Sequence, residues 1–210
     1  MSPVLTVGIL TRGTVSTSWA IALRNLKLPE STVIHTVPGL PFDHARNQLV
    51  KRMLKDGSKH ILFLDDDVLP PPNAYEKLSV VPSEVVSGLY FKRQGRITPT
   101  IYREAHPSPQ PIVIERGGSP IMEVEYVGGG CLLVHRSVFE RLKYPWFEWR
   151  VDREDLPLPE RVGEDFSFCT KVRQSGLRIF AHLGVRCRHM GNGYSDEDGH
   201  FVPESPTEIV

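Results

Sequence analysis

Apolar and polar positions fall into alternating blocks along the first third of the chain. VLTVGIL (4–10) is a short, β-branched apolar run and predicts a strand. A helix-like segment follows around Trp19 to Leu26, and TVIHTV (32–37) reads as a second strand. In DHARNQLVKRMLK (43–55) the apolar side chains Ala45, Leu49, Met53 and Leu54 recur close to helical spacing. HILFLDDDV (60–68) is the third strand. Strand, helix, strand, helix, strand in this order predicts right-handed βαβ units and a parallel sheet. Ligands of such sheets bind beyond the carboxyl ends of the strands. HILFL runs at that end into Asp65, Asp66 and Asp67.

Beyond the prolines at 70–72, NAYEKL predicts a short helix capped by Asn73, and VVSGLY (85–90) a fourth strand. Residues 92–120 are rich in Pro, Gly and Arg and read as a hairpin-like insertion. MEVEYV (122–127) alternates like a half-buried strand. It leads into a glycine turn, a strand over 131–135 and a helix ending near Leu142. GEDFSFCTKVRQSG has acids at its start, Lys171 and Arg173 late and Gly176 past its end, which predicts a helix. LRIFAHL (177–183) is read as the final strand. The polar, acidic end of the chain, about 192–210, is expected to be a flexible tail or lid.

Composition narrows the function classes. The 25 basic and 25 acidic side chains of the 210 residues cancel, so no charge asymmetry argues for nucleic acid as a partner. Cys131, Cys169 and Cys187 are odd in number and widely spaced, which fits neither a zinc site nor a disulfide framework and points to a reducing, cytoplasmic setting. MSPVLTVGILTRG lacks a basic stretch followed by a long apolar run, so neither a signal peptide nor a membrane span is expected.

Three adjacent carboxylates repel one another unless a cation or strong donors hold them. A solvated turn or helix cap explains them plainly; a divalent-cation site explains them chemically, because Mg²⁺ and Mn²⁺ prefer hard oxygen ligands. In an extended chain Asp65 and Asp67 share one face and Asp66 the other, and a local twist exchanges the roles of Asp65 and Asp66. Glu164 and Asp165 open a helix, where acids complement the dipole. YVGGGCLLV (126–134) is a tight turn or a place where backbone comes close to a ligand. His189 follows a strand beside glycines. Trp146, Phe147 and Trp149 offer flat apolar faces for an acceptor, or else one or two of them plug the core.

Taken in order, ARN (45–47), LFLDDDVLPP (62–71), GGGCLLVHRSVF (128–139), GEDFSF (163–168) and RHMG (188–191) resemble glycosyltransferases of the A-type (GT-A) fold, and most closely their large inverting family. The resemblance covers roughly residues 4 to 191. It implies an α/β fold, a single GT-A domain with a Rossmann-like, mostly parallel central sheet flanked by helices and a small additional β element. That domain spans 1–191, with a nucleotide-sugar half of about 1–92 and an acceptor half of about 93–191. It also implies transfer of a sugar from a nucleoside-diphosphate sugar, UDP- or GDP-linked, to a carbohydrate or other hydroxyl acceptor.

The resemblance assigns roles by position. Asp67 and His189 would ligate Mn²⁺ or Mg²⁺ with Asp65 nearby, and Asp66 would face the donor ribose or sugar. Thr11 and Arg12 lie where the family holds the nucleotide, and Arg46 would contact base or phosphate, or else make a helix-surface salt bridge. Gly129 and Gly130 would pass close to the transferred sugar. Asp165 would be the general base of an inverting displacement, with Glu164 supporting it or binding the acceptor. Its helix position favours the anion while burial and Glu164 favour the acid, two opposed effects. The family's acidic residue for a uracil ring is missing from the second strand, where Asp43 is a weak substitute. The alternatives are a retaining transferase on the same fold, a metal-dependent phosphatase, a nucleotidyltransferase and a non-catalytic relative. For the phosphatase, the aspartates stand on the third strand instead of the first and Leu69 replaces the expected Thr or Val.

Overall fold

The computed structural model describes residues 3–92, 98–104, 108–114, 117–152, 160–191, 193–195 and 201–203. In chain order the elements are β1 (Leu5–Thr11), α1 (Thr17–Asn25), β2 (Thr32–Pro38), α2 (Phe42–Asp56), β3 (His60–Asp65), β4 (Val68–Leu69), α3 (Ala74–Ser79), β5 (Val85–Leu89), β6 (Ile101–Arg103) and β7 (Gln110–Pro111). They continue with β8 (Ile121–Val124), β9 (Tyr126–Val127), β10 (Cys131–His135), α4 (Arg136–Arg141), β11 (Arg150–Asp152), β12 (Glu160–Val162), α5 (Glu164–Gln174), β13 (Ile179–Arg186), β14 (Arg188–Met190), β15 (Gly193–Ser195) and β16 (Phe201–Pro203).

Among these, seven strands form one sheet in the order β2-β1-β3-β10-β5-β13-β8. β2, β1, β3, β5 and β13 run one way, while β10 and β8 run against their neighbours. The fold is therefore α/β with a mostly parallel central sheet flanked by helices. Its strands alternate apolar side chains to both faces, as expected of a sheet covered on each side. Ile61, Phe63, Leu132 and Val134 face a core completed by α2, α4 and α5. Leu62, Leu64, Leu133 and Val86 face a second core completed by α1 and α3. β10 comes from beyond residue 92 yet lies between β3 and β5, so the two halves drawn from the sequence share one sheet.

Local chemistry fixes the helix ends. Ser16 Oγ accepts from the Trp19 N–H at 3.1 Å and caps α1. Gly57, at φ +77°, ends α2 in the left-handed conformation that glycine adopts without steric cost. Asn73 stands at the start of α3 but makes no capping bond with its side chain, because its backbone (φ −96°, ψ 19°) is already turned toward the helix and not extended. The cap expected there is corrected.

Three small sheets frame the carboxyl end of the large one. β4 pairs with β14, which pairs with β15 and then β16. β13 is therefore not the last strand, and residues 193–195 and 201–203 of the expected tail are paired strands; 192, 196–200 and 204–210 lie outside the described residues. The hairpin-like insertion contributes β6 and β7, joined to β9, with 93–97, 105–107 and 115–116 outside the described residues. β11 pairs with β12 just before α5. No helix among the described residues is long and apolar enough to cross a membrane.

Candidate active site

One arginine organises the carboxyl end of the sheet. Arg46 lies on α2 in an i, i+3, i+4, i+7 stripe with Leu49, Val50 and Met53, which turns it into the core, where it is 1% exposed. Its Nη2 donates to both Asp65 oxygens at 3.0 and 3.3 Å, its Nε to Glu164 Oε1 at 3.3 Å and its Nη1 to the Gly129 carbonyl at 3.1 Å. The guanidinium also sits over the rings of Phe63 and Phe147, 5.5 and 5.8 Å from their centroids. α2, the end of β3, the glycine turn and the start of α5 thus meet on one side chain. Arg46 is neither on the helix surface nor within reach of solvent. Burial opposes its charge, and Asp65, Glu164 and Asp165 more than restore it, so it is held protonated more firmly than usual.

The three aspartates part company. Asp65 faces Arg46; burial raises its proton affinity and the guanidinium opposes that rise. Asp66 Oδ2 accepts from the Arg12 N–H at 3.0 Å and ties β3 to the loop after β1. Asp67 faces His189, with Nε2 and Oδ1 3.6 Å apart. His189 Nδ1 lies 2.7 Å from the Phe91 carbonyl. A carbonyl only accepts, so Nδ1 carries a hydrogen and Nε2 is the ring nitrogen turned toward Asp67. Register explains the pairing: His189 of β14 lies opposite Val68 of β4, one residue past Asp67. Trp19, read from the sequence only as the start of a helix, locks the bend by donating from Nε1 to the carbonyls of Asp65 and Val68 at 2.8 and 3.1 Å.

Among the described residues no group of three His, Cys, Asp or Glu side chains is placed to cage a metal. Asp67 and His189 nevertheless present two donors to the same space, and the backbone carbonyl behind the imidazole is the support that metal-bound histidines use. Mg²⁺-type sites take only one or two protein carboxylates when substrate phosphates supply the rest. The pair fits a divalent cation of that kind, with Asp65 behind it engaged by Arg46.

Asp165 sits in the first turn of α5, where its Oδ1 accepts from the Phe166 N–H at 2.8 Å. Burial, then the adjacent Glu164, push its carboxyl up to about 7, against the pull of Arg46 and the Phe166 N–H. Burial therefore outweighs the helix terminus. Glu164 is buried and points to Arg46.

The glycine turn is shaped by the protein's own side chains. A Cβ on Gly129 would lie 2.5 Å from Arg46 Nη2 and 2.6 Å from its Cζ; one on Gly130 would lie 2.7 Å from Val68 Cγ2. The Gly130 N–H donates to Tyr90 Oη at 3.0 Å, and the Tyr90 ring meets His189 edge-on at 5.3 Å. Tyr90 was missed in the sequence because it closes an ordinary apolar strand. Arg46 itself carried a signal, a charged residue within an apolar helical stripe.

Thr11 and Arg12 lie at the carboxyl end of β1 beside a cleft of about 350 Å³ bounded by Val37, Gly39 and Phe42. Asp43, in the first turn of α2, has a buried Oδ1 with no hydrogen bond. The aromatic cluster divides: Trp146 and Phe147 are buried in the core, whereas Trp149 is 52% exposed.

No protein-family model matches the sequence, and none of the curated proteins matches it. The structure is similar to that of A197 from STIV, with a TM-score of 0.70 and 18% identity over 97% of this chain and 95% of that one. At that identity the likeness shows the fold alone. A glycosyltransferase involved in the glycosylation of the major capsid of PBCV-1 aligns over 69% of each chain at 15% identity and a TM-score of 0.32. The nucleoside-diphosphate-sugar pyrophosphorylase from Vibrio cholerae RC9 aligns over 85% of this chain and 72% of that one at 13% identity and a TM-score of 0.38. Likenesses at such low scores carry no argument.

Proposed function

We propose that this chain is an inverting, metal-dependent glycosyltransferase that moves a sugar from a UDP- or GDP-linked donor to a hydroxyl acceptor. The observation that supports it is that one buried arginine holds Asp65 and Glu164, the first within two residues of the Asp67–His189 pair and the second adjacent to Asp165, whose carboxyl is pushed up to about 7, at the carboxyl end of an α/β sheet. Asp165 takes the proton of the acceptor hydroxyl; the acceptor oxygen bonds to the anomeric carbon from the face opposite the leaving group. The bond from that carbon to the diphosphate breaks, and the nucleoside diphosphate departs with its electron pair. Held by Asp67 and His189, Mn²⁺ or Mg²⁺ would supply positive charge for the departing diphosphate. Arg46 holds Glu164 and Asp65 in place around Asp165, and Thr11 and Arg12 border the cleft for the nucleoside. Asp66 fixes that loop through the Arg12 N–H. Free, buried thiols at all three cysteines support a cytoplasmic setting.

Titration calorimetry with UDP and GDP, with and without Mn²⁺, tests the donor site. Metal-dependent binding of one nucleotide by the wild type, lost in Asp67→Ala and in His189→Ala, is expected. Binding of neither nucleotide with either metal would sink the proposal. The anomeric configuration of the product, read by NMR, separates inversion from retention.

A further inference from the structure

We infer that Trp149 is a specificity-determining residue that stacks on a carbohydrate acceptor and presents its hydroxyl to Asp165. The inference rests on the transferase reading above and names its acceptor class: a sugar ring, not a peptide or lipid hydroxyl. Three observations carry it.

The first is exposure. Of the three tryptophans, Trp19 and Trp146 are 2% and 7% exposed, while Trp149 stands 52% open to solvent. About half of the Trp149 surface stands in water, and flat aromatic faces suit the C–H face of a pyranose.

The second is position. The point where a Cβ would stand on Gly163 is 3.9 Å from Trp149 Cζ3 and 2.9 Å from Asp165 Oδ1. Indole and carboxylate therefore both lie within reach of one spot, where Gly163 places no side chain. A Cβ at 163 would crowd the Asp165 oxygen, and glycine keeps the space beside both groups clear of a side chain.

The third is rigidity on the N-terminal side of the indole. Asn47 Oδ1 accepts from the Trp146 and Phe147 N–H groups at 3.1 and 3.2 Å, and its Nδ2 donates to the Phe147 carbonyl at 2.7 Å. Phe147 stacks on Phe168 with centroids 4.4 Å apart, and Glu148 pairs with Lys171 at 2.6 Å. β11 begins at the next residue, Arg150. The exposed ring is thus held between anchored neighbours, which reduces the ordering cost of binding a ligand.

Of the three tryptophans only Trp149 is exposed, so iodide quenching of fluorescence excited selectively at tryptophan reads it and not Tyr144. The probes are methyl β-glucoside, methyl β-galactoside, methyl α-mannoside and N-acetylglucosamine. The expected result is that at least one of them lowers the quenching constant of the wild type. Saturation-transfer NMR of that saccharide should then show binding about ten-fold weaker in Trp149→Ala and largely restored in Trp149→Tyr. Circular dichroism confirms that the variants fold. Unchanged quenching with every saccharide, or equal transfer to wild type and Trp149→Ala, would overturn the inference. Because this readout needs no donor, nucleotide binding without saccharide protection sinks the carbohydrate site and leaves the transferase standing. Saccharide protection without nucleotide binding does the reverse.

Discussion

Under the proposed function, Asp165 would link stability and activity at a single carboxyl. Its folded-state value of about 7 lies above the ordinary 3.8, so between those values the native chain binds more protons than the unfolded chain. Stability contributed by the protonated form is present at low pH and is lost as pH rises through this window. Asp165→Asn keeps an acceptor for the Phe166 N–H and removes the ionisation. It should match wild type in thermal unfolding at about pH 4 and exceed it at about pH 8, by at most about 4 kcal/mol. The same substitution should lower kcat/KM by roughly 100-fold or more, and the wild-type profile should rise through a limb near pH 7. A variant no more stable than wild type at the higher pH would contradict the raised proton affinity. Arg46 is the second residue of this kind. Arg46→Met strands Glu164 and Asp65 without their cation, which costs roughly 3–5 kcal/mol in urea unfolding. It also removes the charge that holds the Asp165 value down, so any activity left should show its limb displaced to higher pH.

At the level of elements, the periodic segments were legible and their partners were not. β1, α2, β3 and α5 announce themselves by apolar spacing and by the acids and glycines at their ends, which are local signals. Arg46 shows where local reading stops: it sits 118 positions from Glu164 and 83 from Gly129, and no pattern within α2 names those partners. The glycine turn likewise reads as a turn or a ligand contact, whereas the close approach that excludes a side chain at 129 is made by the guanidinium. Gly129→Ala is therefore expected to destabilise by about 1–3 kcal/mol through overpacking and to move the pH limb of activity with Arg46. Gly176→Ala is the comparison. At φ +81° with only Arg141 Nη2 at 3.9 Å, it should lose about 1 kcal/mol to backbone strain and leave the pH profile in place. Equal pH profiles for the two variants would uncouple the turn from Asp165.

For the whole molecule, strand order decides what can stand alone. A βαβ pattern predicts neighbours in sequence order, and β2-β1-β3 obeys it; β10 then enters antiparallel between β3 and β5, which nothing in its own five residues encodes. The consequence is that both sheet neighbours of β5, namely β10 and β13, lie beyond residue 92. A fragment of residues 1–92 would hold β5 with no in-sheet partner and β3 with one open edge, so Leu62, Phe63, Val85 and Val86 would lose Leu132, Leu133 and Val134 beside them. The apolar area that offsets chain entropy would be lost on both faces at once. The fragment should show no cooperative urea transition and little near-ultraviolet circular dichroism. Co-expression with residues 93–210 should restore both, because the missing strands then come from the second piece. A sharp transition from the first fragment alone would mean that residues 1–92 carry their own core and that β10 is an addition to it, not its centre.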